Sequence, residues 1–219
     1  MSDSMHRGAC RYCGAPAESN GLCGRCQTGE RSDSFAVMGL PRRLDIDLQA
    51  LEAIYHRLSR DVHPDFHHHK PADEREAWLK RSASVNKAYR TLRDFHGRVA
   101  YLVELEGGGA LKPQAPPKLL EDVIEVQDLL EECRRGEETE RRALVDRLQH
   151  ERERLLDQLA RLESDLKRGA QEWDASLGAE AERSPSQRQI LRALQDLLGQ
   201  RVYLLNLVRD LEAVPSSVA

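Results

Sequence analysis

The chain has 219 residues, of which 40% are hydrophobic, 5% aromatic and 32% charged. That length allows one or two domains with a real core, and so few aromatics amid Ala, Glu, Leu and Arg exclude a β-sandwich or barrel and point to long amphipathic helices. The 33 Lys+Arg and 37 Asp+Glu leave a formal charge of −4, too near balance for a global pull toward nucleic acid.

The N-terminus, MSDSMHRGAC, is polar and has no apolar core of a secretory signal. No run of about 18 apolar residues would cross a membrane. The expectation is a cytoplasmic protein, or a mitochondrial one if the source is eukaryotic, although no transit peptide is seen. Four of the five cysteines, Cys10, Cys13, Cys23 and Cys26, fall within 17 residues as two C-x-x-C pairs separated by nine residues. Two such knuckles supply a tetrahedral thiolate shell, and Gly14, Gly21 and Gly24 beside them suit tight turns. This spacing predicts a structural Zn²⁺ module over residues 1–30, with iron as the minor alternative and a disulfide framework disfavoured by a reducing compartment. Four thiolates leave no open coordination position, so the metal folds the module rather than catalysing a reaction. Arg7, Arg11 and Arg25 balance Asp3, Glu18 and Glu30, and Tyr12 is the lone aromatic; neither charge nor stacking favours nucleic acid.

Residues 27–34 read as a polar linker, and GGGALKPQAPP at 107–117 breaks any helix. Between them, residues 35–106 read as helices. Leu48, Leu51, Ile54, Tyr55, Leu58 and Val62 recur at helical spacing, with Asp45 or Asp47 as cap and Pro64 as terminator. A polar loop carries His67, His68 and His69, read as solvated rather than metal-binding. Asp73 is expected to start a second helix striped by Trp78, Val85, Tyr89, Leu92 and, with drift, Phe95. The two helices should pack antiparallel. Arg98 to Leu105 forms a further apolar stretch.

Residues 118–214 predict a three-helix bundle. Leu119, Leu120, Val123, Ile124, Val126, Leu129 and Leu130 make a broad stripe before Gly136. Leu148, Leu155 and Leu162 repeat every seven residues, as do Leu159, Leu166 and Trp173, which is the seam of helix-on-helix packing. Ser184-Pro185 opens a third helix whose Ile190, Leu194, Leu197, Leu204, Val208 and Leu211 face one way. Cys133 is expected to be a half-buried thiol.

His63-Pro64-Asp65 lies in the loop between the two middle helices. The helix before it ends Tyr55-His56-Arg57-Leu58-Ser59; the helix after it contains Asn86-Lys87-Ala88-Tyr89 and Leu92. This arrangement resembles a J-domain. The opening Phe35-Ala36-Val37-Met38-Gly39-Leu40-Pro41, the segment Arg98-Val99-Ala100-Tyr101-Leu102-Val103 and the separate C-terminal bundle are similar to the HscB family, some of whose members carry a two-knuckle cysteine module. Phe66 departs from the Lys or Arg usual after HPD, and Phe95-His96 stands where the family often has a proline.

The resemblance implies an all-α co-chaperone that stimulates ATP hydrolysis by a DnaK/HscA-type chaperone and delivers an IscU-type iron–sulfur scaffold to it. Pro64 would fix the loop, Asp65 would meet an arginine of the chaperone, and His63 would add a directional contact. Arg57 and Arg60 on the polar side of their helix suit acidic surface on that partner, as do Lys80, Arg81, Lys87, Arg90 and Arg93. In relatives the scaffold binds an apolar patch on the first and last bundle helices, which corresponds here to Leu119, Leu120, Val123, Ile124, Tyr203 and Leu204. Glu121, Asp122, Glu125, Asp128, Glu131 and Glu132 would form an acidic rim. For Leu120 and Ile124, periodicity allows a place in the core equally well. A general J-domain co-chaperone for unfolded clients, with the bundle as a dimerisation device, is the alternative. No nucleophile–base pair, phosphate loop or open metal site suggests an enzyme.

Overall fold

The computed structural model describes residues 33–63, 65, 71–108, 117–135, 138–178 and 184–213; the four cysteines of the knuckles lie outside these. Every described element is a helix, and none of these helices is long and apolar enough to cross a membrane. The chain separates into two compact units, with the division between Leu105 and Glu106.

The first unit opens with a short helix, α1 (Ser34–Met38), that composition alone does not announce. Its N-terminus is held twice, by the Asp33 carboxylate on the Ala36 N–H at 2.9 Å and by the Tyr101 hydroxyl accepting the Ser34 N–H at 2.8 Å. Gly39, at φ 67°, closes it in the left-handed conformation that spares a residue without Cβ. Phe35, fully buried, stacks on Tyr101 with 6.0 Å between ring centroids.

Helix α2 (Leu48–Asp61) is capped by Asp47, which accepts from the Gln49 and Ala50 N–H groups. It ends before Pro64, with Val62 as its C-cap. Helix α3 (Ala72–Arg93) starts after Pro71 without a side-chain cap, so Asp73 lies inside the first turn rather than heading the helix. Leu51, Leu58 and Val62 on one side and Val85, Ala88 and Leu92 on α3 are all buried in this unit. The stripe of α3 does not run on to Phe95. Asp94 adopts an extended conformation and accepts the Gly97 N–H, and this starts a new helix, α4 (Phe95–Val103).

Arg98 is 5% exposed and acts as a staple. Its Nε donates to the Leu44 carbonyl at 2.9 Å, its Nη1 donates to the Leu92 carbonyl, and its guanidinium lies over the Phe95 ring. One buried cation thus satisfies a carbonyl of the loop before α2 and an orphan carbonyl near the end of α3. A π-helical turn, Glu104–Gly108, follows.

The second unit contains α5 (Pro117–Arg135), α6 (Glu138–Ala175) and α7 (Pro185–Glu212). Ser184 caps α7 in a reciprocal capping box with Gln187, and Pro185 takes the first helical position. Leu148, Leu155, Leu162, Leu166 and Trp173 are buried along α6 as the heptads predict, whereas Leu159, the first of its series, is only half-buried. On α7 the buried line is Leu191, Leu194, Leu198, Leu204, Leu207, Val208 and Leu211; Ile190 and Leu197 sit at its edge, half-buried. Gly169 lets the helices approach, because a Cβ there would stand 2.9 Å from a Leu194 methyl. At about 1.5 Å per residue α6 is roughly twice as long as α5, and the pairs Asp122–Arg154 and Glu132–Arg147 place α5 along the N-terminal half of α6. Cys133 is 7% exposed, hence buried rather than half-buried, because α5 turns it inward with Val126, Leu129 and Leu130.

Candidate functional site

The loop at the end of the α2–α3 hairpin is set up from below. Val62, 1% exposed, anchors the chain at the core, and the residues after it leave the helix. His63 and Asp65 then project, with side-chain exposures of 51% and 85%. His63 Nδ1 accepts the Asp65 N–H at 3.3 Å and lies 3.5 Å from Asp65 Oδ2. An Nδ1 that accepts leaves the proton of the neutral ring on Nε2, so the loop carries an N–H donor next to a carboxylate. Pro64, Phe66 and His67–His69 fall outside the described residues.

The hairpin beneath is held by aromatic and polar contacts. The Tyr55 hydroxyl donates to Asn86 Oδ1 at 2.8 Å, and the Tyr55 and Tyr89 rings stack at 4.2 Å. Arg57 and Arg60 are both exposed on α2. The cations of α3 are less uniform than the sequence suggests. Lys80 pairs with Glu76 one turn earlier at 2.8 Å, and that hydrogen bond holds the exposed Glu76 carboxyl below its ordinary range. Arg81 lies over the Trp78 ring, Arg93 lies over the Tyr89 ring, and Arg90 Nε donates to the Asn86 carbonyl. These contacts spend part of the cationic face on the helix itself.

On the bundle, Leu120 is 50% and Ile124 61% exposed, so these two belong to the surface. Val123 and Tyr203 are half-buried, and the Leu119 side chain is outside what is described. Leu204 is corrected: at 3% exposure it belongs to the core, since it stands three, four and seven residues before the buried Leu207, Val208 and Leu211. A groove of about 390 Å³ runs beside Ile124 and Leu129, walled by Glu121, Glu125, Asp128 and Glu132, with Arg147 bonded to Glu132 at 3.1 Å.

Asp122 also needs correction. It is not part of an acidic rim; it is 7% exposed and faces α6. There Arg154 Nη2 meets Asp122 Oδ1 at 2.7 Å, while its Nε reaches Glu151 Oε2 at 2.8 Å. Glu151 is 5% exposed. Hydrogen bonding to Glu151 first, then to Asp122, raises the Arg154 pKa well above its ordinary value against the opposing effect of burial. Sequence patterning missed this cluster, although one signal was present. Extending the Leu159–Leu166–Trp173 series back by seven gives Arg152 beside Glu151, so the apolar seam breaks where α5 joins.

The described residues thus form a helical hairpin with an imidazole and a carboxylate at its tip, followed in the chain by a separate helical bundle. No family model matches the chain. Among curated proteins it is 36% identical over 135 residues to the co-chaperone protein HscB homolog of Aromatoleum aromaticum, covering 60% of this chain and 76% of that one. It is 38% identical over 128 residues to the Azoarcus sp. homolog, covering 56% and 72%. The iron-sulfur cluster co-chaperone protein HscB homolog of Arabidopsis thaliana is 30% identical over 130 residues, 57% of this chain and 51% of that one. The fold matches chaperone HscB from Vibrio cholerae with a TM-score of 0.52 at 19% identity, over 86% of this chain and all of that one. It matches human HscB with a TM-score of 0.52 at 21% identity, over 93% and 96%. The chain belongs to the HscB co-chaperone family.

Proposed function

We propose that this chain stimulates ATP hydrolysis by a DnaK/HscA-type chaperone through His63, Pro64 and Asp65, and that its bundle carries an IscU-type iron–sulfur scaffold to that chaperone. The observation behind the first half is the 85% exposure of Asp65 at the hairpin tip beside a half-exposed His63. A solvated carboxylate on a short loop accepts charge-assisted hydrogen bonds from an arginine at little desolvation cost. Arg57 and Arg60 extend the charge along α2 and favour encounter with acidic surface. Asp65→Asn keeps the shape of the loop and removes the charge. It is expected to abolish stimulation of ATP turnover by the full chain; stimulation equal to that of the natural chain overturns the reading.

Support for the second half comes from Leu120 and Ile124, exposed together on α5 beside an acid-walled groove. Apolar anchors ringed by carboxylates fit a client with an apolar residue flanked by bases. The Arabidopsis relative is named an iron-sulfur cluster co-chaperone, which supports a client from iron–sulfur chemistry. Leu120→Ala with Ile124→Ala is expected to weaken scaffold binding while ATPase stimulation persists. Binding of denatured proteins with no preference for the scaffold would instead favour a general J-protein.

Cys10, Cys13, Cys23 and Cys26 are proposed to hold one Zn²⁺ per chain as a folding staple of the N-terminal module. Elemental analysis of the purified chain is the check, and an iron spectrum overturns the assignment.

A further inference from the structure

We propose that Arg154 is a positioning residue for client docking: by gripping Asp122 and Glu151 it fixes the rotation of α5 that turns Leu120 and Ile124 outward. The proposal rests on the client-face reading above and adds what sets that face.

The apolar face of α5 and its buried face do not coincide. At about 100° per residue, the seven residues Leu119, Leu120, Val123, Ile124, Val126, Leu129 and Leu130 spread over an arc of roughly 220°. Burial of apolar area alone would turn the middle of that arc toward α6 and α7. The structure instead buries Asp122, Val126, Leu129, Leu130 and Cys133. The centre of this buried arc lies roughly 60° away from the centre of the apolar one, on the side away from Leu120 and Ile124. Helix α5 therefore hides a carboxylate while it leaves a leucine and an isoleucine at 50% and 61% exposure.

A carboxylate enters an interior only with a partner. Arg154 is that partner, and a residue of its own helix holds it in place. Its Nε and Nη2 both bond Glu151, three residues earlier on the same helix, at 2.8 and 2.5 Å. This fork holds the guanidinium in place, and the same Nη2 reaches across to Asp122 at 2.7 Å. Glu125 adds a longer contact at 3.7 Å. Rotating α5 to bury Leu120 and Ile124 would carry Asp122 away and leave Glu151 and Arg154 without their cross-helix partner. Polar groups inside a helical interface commonly select one arrangement among several that apolar contacts permit. Here the arrangement selected is the one that exposes the proposed docking residues.

The test uses the full chain and two kinds of readout. In the first, Ile124→Cys is alkylated and the rate at that site is followed by peptide mass spectrometry, which separates it from the other cysteines. Adding Arg154→Met is expected to slow the reaction about tenfold as the residue turns inward. Exchanging the charges, Asp122→Arg with Arg154→Asp, is expected to bring it back to within about threefold. In the second, an IscU-type scaffold is titrated: Arg154→Met weakens binding about tenfold, the exchange recovers it, and ATPase stimulation is unchanged throughout. An unchanged alkylation rate in Arg154→Met overturns the proposal. So does an exchange variant that fails to recover, which would make Arg154 merely structural. If Arg154→Met does not fold, the exchange variant decides alone by the same criterion. Leu120→Ala with Ile124→Ala runs in parallel. Normal scaffold binding by that variant overturns the client face itself, whereas weakened binding beside an unchanged alkylation rate leaves the client face standing without the Arg154 lock.

Discussion

The hairpin unit and the bundle distribute charge in opposite ways. In the hairpin, Leu51, Val85 and Leu92 fill the core, and His63 and Asp65 stand out at the tip. In the bundle, Asp122 and Glu151 go inside while Leu120 and Ile124 stay out. The hairpin follows the hydrophobic pattern and sets its chemistry on a loop. The bundle departs from the pattern along one helix and sets its candidate chemistry on that helix's surface. Each unit nevertheless contains an arginine that gathers acceptors from more than one element. Arg98 is nearly fully buried and bonds carbonyls; Arg154 is partly buried and bonds carboxylates. The first closes a loop onto helix ends and is structural, whereas the second chooses between faces of a helix.

The contrast can be broken most sharply in the cores. Leu166→Ala on α6 and Leu92→Ala on α3 each remove a fully buried side chain. Each is expected to cost about 2–5 kcal/mol. If the units melt separately, calorimetry will show each substitution moving one transition and leaving the other in place. A shift of both transitions by either substitution would show that the units unfold together. Arg98→Met comes next, at roughly 2–4 kcal/mol, because it strips the Leu44 and Leu92 carbonyls of a charged donor in a dry site. Urea unfolding should register that loss in the hairpin unit alone.

Much of this contrast was legible beforehand. The heptads Leu148–Leu155–Leu162 and Leu159–Leu166–Trp173 predict buried positions, all but the half-buried Leu159 correctly, and the Ser184-Pro185 start of α7 is a chemical signal that needs no tertiary context. His63 and Asp65 were visible because a loop motif is read by adjacency. The rotation of α5 was not visible, since a stripe of seven apolar residues offers two faces and the choice depends on Arg154, far along the chain. Leu204 was legible as core, since spacing puts it on one face with Val208 and Leu211; only the family resemblance placed it on the docking patch. Arg98 escaped notice because an arginine in an apolar stretch looks like an interruption until its carbonyl partners are placed.

Smaller effects sharpen the same contrast. Tyr55→Phe deletes the hydrogen bond to Asn86 but keeps the stack on Tyr89, and should cost the hairpin about 1 kcal/mol. Ser184→Ala removes one arm of the capping box and should cost the bundle about 1 kcal/mol. Parallel urea titrations of the two variants would rank a tertiary bond against a local cap of nominally equal worth.

The smallest expected change is at Glu76. Its pKa is lowered in the folded chain by the hydrogen bond and charge of Lys80. A carboxyl whose folded pKa lies below its unfolded value contributes stability above the unfolded pKa and loses it as pH falls through the folded one. Glu76→Gln should therefore leave the chain marginally less stable near neutral pH and no different once the medium is acid enough to protonate the natural carboxyl. The pair is fully solvated, and added salt should erase the difference as well. Unfolding curves of both chains at neutral and acid pH, each with and without salt, check the sign. A difference that persisted in acid or in high salt would mean that Glu76 acts through something other than Lys80, and the hairpin would then hold a further polar contact beside Arg98 and the Tyr55–Asn86 bond.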